Sequence, residues 1–376
     1  MITHKTFEAV THNVIVTIDK ESVVAAIIME NILTDSKTVL SLGSGNVFVD
    51  EESLSGDGQS VIDSHAEIIA RRGFQRVIYK EIESLLPKSV SKNGILRRDD
   101  NRTISVAEGI RFHLYISKAP CGDGGIFTLS QQEPSKDTGT IHKPVQSDKK
   151  QGLLRAKIAR GEGAIPVADL PTDRLHKMSC SDKICKWNVL GLQGALLSKI
   201  INLPLYLSSI VLGDVYDFNH LSRALCCRVR SQVPNVSSNL SVNHPDIGFS
   251  NKYEEPELGK SKPTSVNWNI VDGSVEVTNG RTGKISSDSY LQKQTVTKNE
   301  PSRLCKSEIF KLFRRLQYQD SEVLYRRQTR GNSNYGIAKL SSIEYQNKKK
   351  ELYQHFQRKG FGAWKRRTNM DSFKWI

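Results

Sequence analysis

The longest amphipathic pattern in the chain constrains its fold more than any other feature of the sequence. Apolar residues recur at helical spacing at positions 66, 68, 69, 74, 77, 78 and 85. Asp63 and Ser64 precede this pattern and Pro87 follows it. The pattern therefore predicts a capped helix that ends near the proline and buries one face against a core.

Shorter patterns predict the remaining elements. Apolar or alternating runs predict strands over 22–30, 37–42, 111–117 and 204–212. Further helices are predicted over 188–201 and 337–359. Polar segments rich in Ser, Asn, Pro and Lys are predicted as loops over 128–151, 231–262 and 280–300. Because strands alternate with helices, an α/β class of fold is expected.

Composition narrows the function classes without naming one. The 376 residues include 54 Lys and Arg against 40 Asp and Glu, a net charge of +14 that favours a polyanionic partner. No apolar run approaches the roughly 18 residues of a membrane-spanning helix, and the N-terminus has no apolar signal region. The six cysteines are scattered, which is typical of free thiols or metal ligands rather than of a disulfide framework. A soluble, intracellular, basic protein is expected.

Four residues have the types and contexts of a hydrolytic zinc site. His65 and Glu67 form a His-x-Glu at the start of the predicted helix, Cys121 follows a proline, and Cys180 follows a serine. One imidazole and two thiolates leave a fourth position for water, and a nearby carboxylate can move the proton. This is the pattern of zinc nucleobase deaminases, although their second cysteine usually follows the first at Pro-Cys-x-x-Cys spacing. Each fragment alone also fits a structural role, such as a buried cysteine in the core.

Longer stretches resemble the deaminase domain of the adenosine deaminases acting on RNA. The resemblance covers nearly the whole chain, as far as 362–364, and in that family a long insertion separates the two cysteines. It implies one domain over 1–376, with a cytidine-deaminase-like αβα core at about 20–230 and a mostly helical C-terminal portion at about 231–376. No double-stranded RNA-binding domain is predicted in these residues. The matching stretches are 63–72, 119–123, 161–166, 178–183 and 187–195.

The resemblance implies zinc-dependent deamination of adenosine to inosine in double-stranded RNA. His65, Cys121 and Cys180 would hold the zinc, and Glu67 would carry the proton while an activated water attacks C6. The target base must leave the duplex, and Glu162, beside Gly163, matches the family residue that enters the vacated space. The positions that resemble RNA contacts are Asn46, Arg174 and Lys260.

The resemblance also implies a buried inositol hexakisphosphate. Asp63 and Lys157 resemble a relay from this cofactor to the zinc site, whereas Ile62, Lys177 and Ala195 depart from the family pattern. A helical wheel places four candidate ligands within an arc of about 120°, a stripe that also fits a solvated face: Tyr335, Lys339, Tyr345 and Lys349. The full set of candidate ligands is Arg71, Arg72, Lys183, Lys186, Lys306, Tyr335, Lys339, Tyr345, Lys349 and Trp364.

A second metal site is predicted from the type-1 enzymes of the family, which this chain resembles more than the type-2 enzymes. Those enzymes carry an adjacent cysteine pair and two histidines that hold a structural zinc. The matching residues are His142, Cys226, Cys227 and His244. Two Cys and two His complete a closed tetrahedral set.

Two other functions remain open at this stage. The tRNA adenosine deaminases share the His-Ala-Glu and Ser-Cys-Ser-Asp motifs, although the 161–163 loop favours the enzymes that act on duplexes. A catalytically decayed RNA-binding relative is the alternative from another class, and the intact His65, Glu67, Cys121 and Cys180 argue against it. The family resemblance adds three expectations: location in the nucleus, a possible additional location in the cytoplasm, and a possible homodimer.

Overall fold

The structure is a computed structural model, and it describes residues 23–49, 53–86, 91–126, 151–157, 164–170, 177–213, 217–229, 240–250, 263–286, 300–319, 334–364 and 371–374. The strands are β1 (Val24–Asn31), β2 (Ser36–Ser44), β3 (Leu96–Arg98), β4 (Ile104–Val106), β5 (Ile110–Ile116), β6 (Arg155–Lys157), β7 (Ala164–Pro166), β8 (Lys177–Met178), β9 (Ser209–Leu212), β10 (Asp246–Phe249), β11 (Thr264–Asn269), β12 (Val275–Asn279) and β13 (Lys284–Ile285). The helices are α1 (Ala66–Leu85), α2 (Cys180–Leu190), α3 (Gly194–Leu197), α4 (Phe218–Leu225), α5 (Lys306–Gln319), α6 (Tyr335–Leu340) and α7 (Ile343–Arg358).

An eight-stranded mixed sheet forms the scaffold. Its strand order is β10-β9-β5-β1-β2-β11-β12-β13. Strand β9 pairs in parallel with β5 and β10, and the other neighbours are antiparallel. Two smaller sheets have the orders β3-β4 and β7-β6-β8. The sheet therefore joins early strands to strands from the C-terminal portion of the chain.

Helix α1 packs against the central strands. Its apolar face contributes Phe74, Ile78 and Ile82 to the same core as Ile27 of β1. A Cβ on Gly43 of β2 would lie 2.6 Å from the carbonyl oxygen of Ala66, so only glycine allows the first turn of α1 to approach the strand this closely. This close approach holds the start of α1 at the end of β2.

The predicted mixed α/β class is confirmed, as are the helix at 66–85 and the strands that appear as β1, β2 and β5. The predicted cap is wrong in detail. His65 is the N-cap residue and makes no side-chain capping hydrogen bond. The Asp63 carboxylate binds Lys157 and Lys183 instead, and its only contact near the helix start is with His65.

The predicted helix at 188–201 is wrong. Helix α2 begins at Cys180 and ends at Leu190, because Gly191 follows in a left-handed conformation with φ 81°. In the rest of the predicted segment, over 191–201, only the four residues of α3 are helical. The strand predicted over 204–212 is shorter than expected and is limited to Ser209–Leu212.

The helix predicted over 337–359 is two helices, α6 and α7, with Ser341 and Ser342 between them. The Ser342 hydroxyl donates to the carbonyl of Ala195, which fixes the break. The loops predicted over 231–262 and 280–300 contain β10 and β13 respectively. Of the loop predicted over 128–151, residues 128–150 lie outside the described residues. Among the described helices, none combines the length and the apolar character that a membrane span requires.

Candidate metal centre and its basic surroundings

The three predicted zinc ligands converge from three different elements. His65 immediately precedes α1, Cys121 follows β5, and Cys180 is the first residue of α2. One potential ligand atom from each of the three residues lies within 4.8 Å of the others. The backbone N–H of Cys180 lies 3.4 Å from Cys121 Sγ, so the start of α2 also favours a thiolate there.

A tight contact between two loops brings the cysteines together. Gly122 has φ 102°, and a Cβ at this position would overlap the Ser179 hydroxyl. The Ser181 N–H and hydroxyl both donate to the carbonyl of Cys121, at 3.0 and 2.9 Å. The loop that carries Cys121 therefore needs glycine at residue 122 to reach the start of α2.

Asp63 is the electrostatic centre of the site. Lys157 Nζ donates to its two carboxylate oxygens at 3.0 and 2.8 Å, and Lys183 also binds it. Burial acts to raise the pKa of Asp63, but the charges of Lys157, Lys183 and His65 outweigh burial and hold it well below its usual value. Asp63 is therefore a carboxylate that joins the metal centre to a lysine of α2.

Glu67 lies beside the candidate ligands and has the environment of a proton carrier. Its Oε2 lies 3.4 Å from Cys180 Sγ, and the residue is only 3% exposed. Burial raises the pKa of Glu67 above its ordinary value. A carboxyl group with a raised pKa is suited to take up and release a proton near neutrality.

The donor set fits zinc. His65 Nδ1 is buried 2.9 Å from Asp63 Oδ1, but no described residue forms an aligned hydrogen bond with it. Lys157 Nζ donates to Cys180 Sγ at 3.2 Å, which stabilises a thiolate. One nitrogen and two sulfurs match a catalytic zinc site with an open fourth position. The residues that would hold this ion are thus His65, Cys121 and Cys180.

Three of the four residues predicted for a second metal site also converge. Cys226 Sγ lies 3.5 Å from Cys227 Sγ, which lies 3.6 Å from His244 Nδ1. The three ligand atoms are all within 4.8 Å of one another. His142 lies outside the described residues. The described part of this cluster therefore supplies two sulfurs and one nitrogen to a tetrahedral set.

A cluster of half-buried positive charges lies between the helices. Burial lowers the pKa of Arg71 to about 10, and the Arg71 guanidinium stacks 5.0 Å from the ring centre of Trp187. Burial and the neighbouring cations Lys349, Lys183, Arg71 and Lys339 hold the pKa of Lys186 well below its ordinary value. The candidate polyphosphate ligands come from α1 (Arg71, Arg72), α2 (Lys183, Lys186), α5 (Lys306), α6 (Tyr335, Lys339), α7 (Tyr345, Lys349) and the segment that contains Trp364.

Sequence reasoning missed Asp371, which lies at the edge of this cluster. Its carboxylate accepts from Lys306 and Lys339, each at 2.7 Å. Phe373 stacks on Tyr335 with ring centres 4.8 Å apart, so the C-terminal segment 371–374 is held against α6. The sequence did contain a signal for this contact: Asp371 is an acidic residue close to an aromatic one, Phe373, in an otherwise basic C-terminus.

The positions that depart from the family pattern make local contacts. Lys177 Nζ donates to the carbonyl of Val49 at 2.5 Å and lies 4.1 Å from the Phe48 ring centre. The carbonyls of Ile62 and Ala195 accept from Val49 N and from the Ser342 hydroxyl. These contacts brace the loops around the metal centre and the basic cluster.

Of the predicted RNA contacts, only Asn46 lies in the described part of the chain. It is exposed and follows Gly45, whose carbonyl accepts from Ala66 N at 2.9 Å. Asn46 is therefore at the surface next to the start of α1. The positions Glu162, Gly163, Arg174 and Lys260 lie outside the described residues.

A His-Cys-Cys set, half-buried at His65 and Cys121 and buried at Cys180, lies beside a buried glutamate on a mixed α/β scaffold, and it has the donor types of a zinc-deaminase centre. Comparison of the whole sequence then assigns the family. The chain belongs to the adenosine-deaminase (editase) domain family, whose sequence model matches residues 41–368.

Individual relatives agree with this assignment. The chain is 38% identical to the double-stranded RNA-specific adenosine deaminase of Mus musculus over 97% of its own length and 31% of the mouse protein. It is 33% identical to the double-stranded RNA-specific editase Adar of Drosophila melanogaster, over 94% of the chain and 51% of that protein. The tRNA-specific adenosine deaminase 1 of Drosophila melanogaster is 33% identical over 55% of the chain. The chain thus spans 31% of the length of the mouse duplex-specific relative and 51% of that of the Drosophila one.

Proposed function

We propose that this chain deaminates adenosine to inosine in double-stranded RNA. The observation that carries the proposal is the convergence of His65, Cys121 and Cys180, with ligand atoms within 4.8 Å of one another, beside the buried Glu67. The printed names of its relatives supply the substrate class. A cytidine-deaminase-like αβα arrangement of the core belongs to the same proposal.

Glu67 performs the proton transfers of this reaction. His65, Cys121 and Cys180 would hold a zinc ion, which would supply a bound water with a pKa lowered to about 7. The reaction forms a C6–O bond, breaks the C6–N bond and releases ammonia. Glu67 accepts a proton from the attacking water and delivers it to the departing amino group, a role that its raised pKa supports.

The family resemblance assigns the opening of the duplex to residues outside the described part of the chain. Glu162, between two glycines, fills the space that the flipped base leaves and hydrogen-bonds the orphaned partner base. Arg174 and Lys260 contact phosphates. Asn46, which does lie in the described part of the chain, is near the target ribose. Glu162→Gln should keep or raise duplex editing, because an amide donates without first being protonated. A large loss of inosine in this variant would count against the flipping role.

The basic cluster binds inositol hexakisphosphate in this proposal. Repulsion among cations that are held close together and away from water is costly, and a dense polyanion removes that cost. The low pKa of Lys186, caused by burial and four neighbouring cations, supports an anionic ligand at this place. Asp63 and Lys157 then connect the polyphosphate to the metal centre through Lys183.

The second metal set binds a structural zinc ion. Cys226, Cys227 and His244 supply three ligands, and His142 is the proposed fourth. Metal analysis of the purified protein should therefore find two zinc ions per chain, whereas one ion per chain would remove the second site.

A tRNA adenosine deaminase is the competing function. The match to the duplex-specific mouse relative covers 97% of the chain, against 55% for the tRNA-specific relative from Drosophila, and this difference favours duplex RNA. Incubation with a long perfect RNA duplex, and separately with tRNA, should yield inosine mainly in the duplex. Glu67→Ala should reduce the rate by about 10²- to 10⁴-fold. Equal product from the wild type and Glu67→Ala would refute the role of Glu67 and favour an RNA-binding relative.

A further inference from the structure

Two arginines flank the Cys226–Cys227 pair, and each binds an aspartate next to a cysteine of the metal centre. Arg223 binds Asp123, which lies two residues after Cys121. Arg228 binds Asp182, which lies two residues after Cys180. The short segment between the two arginines thus connects to both cysteine ligands.

The contact between Arg228 and Asp182 holds the first turn of α2. Both side chains are buried, with 1% and 0% of their surface exposed. Besides Arg228, the Asp182 carboxylate accepts from the Ser179 hydroxyl at 2.7 Å and from the backbone N–H of Arg155 at 2.8 Å. Ser179 is the N-cap of the helix that begins with Cys180. Arg228 therefore fixes the orientation of the turn that presents the Cys180 thiol.

The contact between Arg223 and Asp123 holds the loop that carries Cys121. Arg223 Nε lies 3.4 Å from Asp123 Oδ2, and its Nη1 donates to Gln151 Oε1 at 2.8 Å. Asp123 Oδ1 accepts from Gly152 N at 2.9 Å, while the Gly152 carbonyl accepts from Arg228 Nη1 at 3.0 Å. Residues 151 and 152 therefore link the two arginine contacts into one buried network.

The second metal set lies at the midpoint of this network. Cys226 and Cys227 directly follow α4, which carries Arg223, and they directly precede Arg228. On the other side, Asn243, the neighbour of His244, donates its backbone N–H to the Asn188 carbonyl of α2 at 2.7 Å. A metal ion that binds the two cysteines and His244 would therefore fix the direction of the chain from which both arginines extend.

We propose that Arg223 and Arg228 are positioning residues for the two cysteine ligands of the catalytic metal, and that the second metal set keeps them in place. The first half rests on the zinc assignment of the metal centre, and the second half rests also on the proposed structural zinc. Neither arginine touches the reacting atoms. Their effect is on how firmly the catalytic ion is held.

The test uses zinc-loaded protein and measures the transfer of zinc to the chelator 4-(2-pyridylazo)resorcinol, at a temperature well below unfolding. Arg228→Met removes the charge and keeps an apolar contact with Phe356, whose ring lies 5.5 Å from the guanidinium. It should retain two zinc ions but release the catalytic ion about 10- to 100-fold faster. In cobalt-substituted protein, the visible bands of the catalytic ion should shift.

Arg76→Met is the matched control. Arg76 lies on α1, and its partner Asp272 is outside the network of Arg223 and Arg228. It should release zinc at the wild-type rate. An Arg228→Met protein whose release rate and cobalt spectrum equal those of Arg76→Met would overturn the positioning role. Should Arg228→Met fail to fold, Asp182→Asn combined with Arg228→Met leaves no unpaired charge, and the same two outcomes decide.

Cys227→Ser tests the second half. It should bind one zinc ion and release that ion about as fast as Arg228→Met does, with no further acceleration when the two changes are combined. One bound zinc with the wild-type release rate would overturn the coupling. Two bound zinc ions would instead overturn the second metal site itself, and would leave the arginine result to be judged on Arg228→Met alone.

Discussion

The metal centre and the basic cluster are neighbouring regions that differ in charge. Positive and negative side chains are paired around the metal centre, whereas positive side chains are in excess in the basic cluster. Around the metal centre, two buried carboxylates have cationic partners: Asp63 has Lys157 and Lys183, and Asp182 has Arg228. In the basic cluster, Lys186 lies close enough to Arg71 and Lys349 for their charges to lower its pKa, and Asp371 binds Lys306 and Lys339 at the edge.

This difference separates a site that the chain completes from one that needs a ligand. Paired buried charges satisfy one another, so the ligands of the metal centre are positioned by the protein itself. Cations that lie close together and away from water repel one another until an anion arrives, and the pKa of Lys186 falls accordingly. Lys183 belongs to both regions, because it lies near Lys186 and binds Asp63.

The largest expected effect is the removal of the carboxylate that the paired region shares. Asp63→Asn leaves Lys157 buried without its partner and should reduce the free energy of unfolding by about 3–5 kcal/mol. Denaturant unfolding measures this change. Asp272→Asn, which breaks the more exposed pair with Arg76, is the control and should cost less. Equal losses in the two variants would contradict the central role of Asp63.

Lys186→Met, in the basic cluster, should change the free energy of unfolding in the opposite direction. Without added inositol hexakisphosphate, this change removes a buried cation that four others repel, and it should stabilise the protein by about 1–2 kcal/mol. With the polyphosphate present, the gain should become a loss. Thermal unfolding with and without the ligand measures both. The exposed Lys348→Met is the control, and identical behaviour of the two variants would argue against a polyanion site.

The smallest expected effect concerns Asp371, the carboxylate at the edge of the basic cluster. Burial acts to raise its pKa, but Lys339 and Lys306 outweigh burial and lower it. Its stabilising contribution is therefore complete above the unfolded pKa of about 3.9 and is lost as the pH falls below that value. Asp371→Asn should cost about 1 kcal/mol at pH 7 and nothing at strongly acidic pH. A loss that does not depend on pH would contradict the ion pairs as its cause.

The sequence predicts local elements well where one periodic pattern determines them. The amphipathic pattern of 66–85 and the apolar runs of β1 and β2 are sufficient, because their residues pack on a single core. The same reasoning fails at Gly191 and at Ser341–Ser342. There, a left-handed glycine and a hydrogen bond from Ser342 to Ala195 end helices whose apolar patterns continue.

The candidate ligands could be chosen from residue types and resemblance, but the network that holds them could not. His65, Cys121 and Cys180 occur in recognisable motifs. Asp182 and Arg228 are 46 residues apart in sequence, and nothing in their local contexts indicates that they pair. Cys-x-Asp occurs at both cysteines, yet its meaning depends on tertiary contacts with α4 and the turn that follows it.

The order of the large sheet has a consequence for synthesis of the chain. Strand β2 emerges early, but its partner β11 pairs Val266 with Ser44 and is made only much later. Until then, β2 presents an open row of backbone donors and acceptors to any neighbouring nascent chain. The ribosome-bound intermediate is therefore the form of this protein most prone to aggregation, and a chain that stops short of β11 never leaves that state.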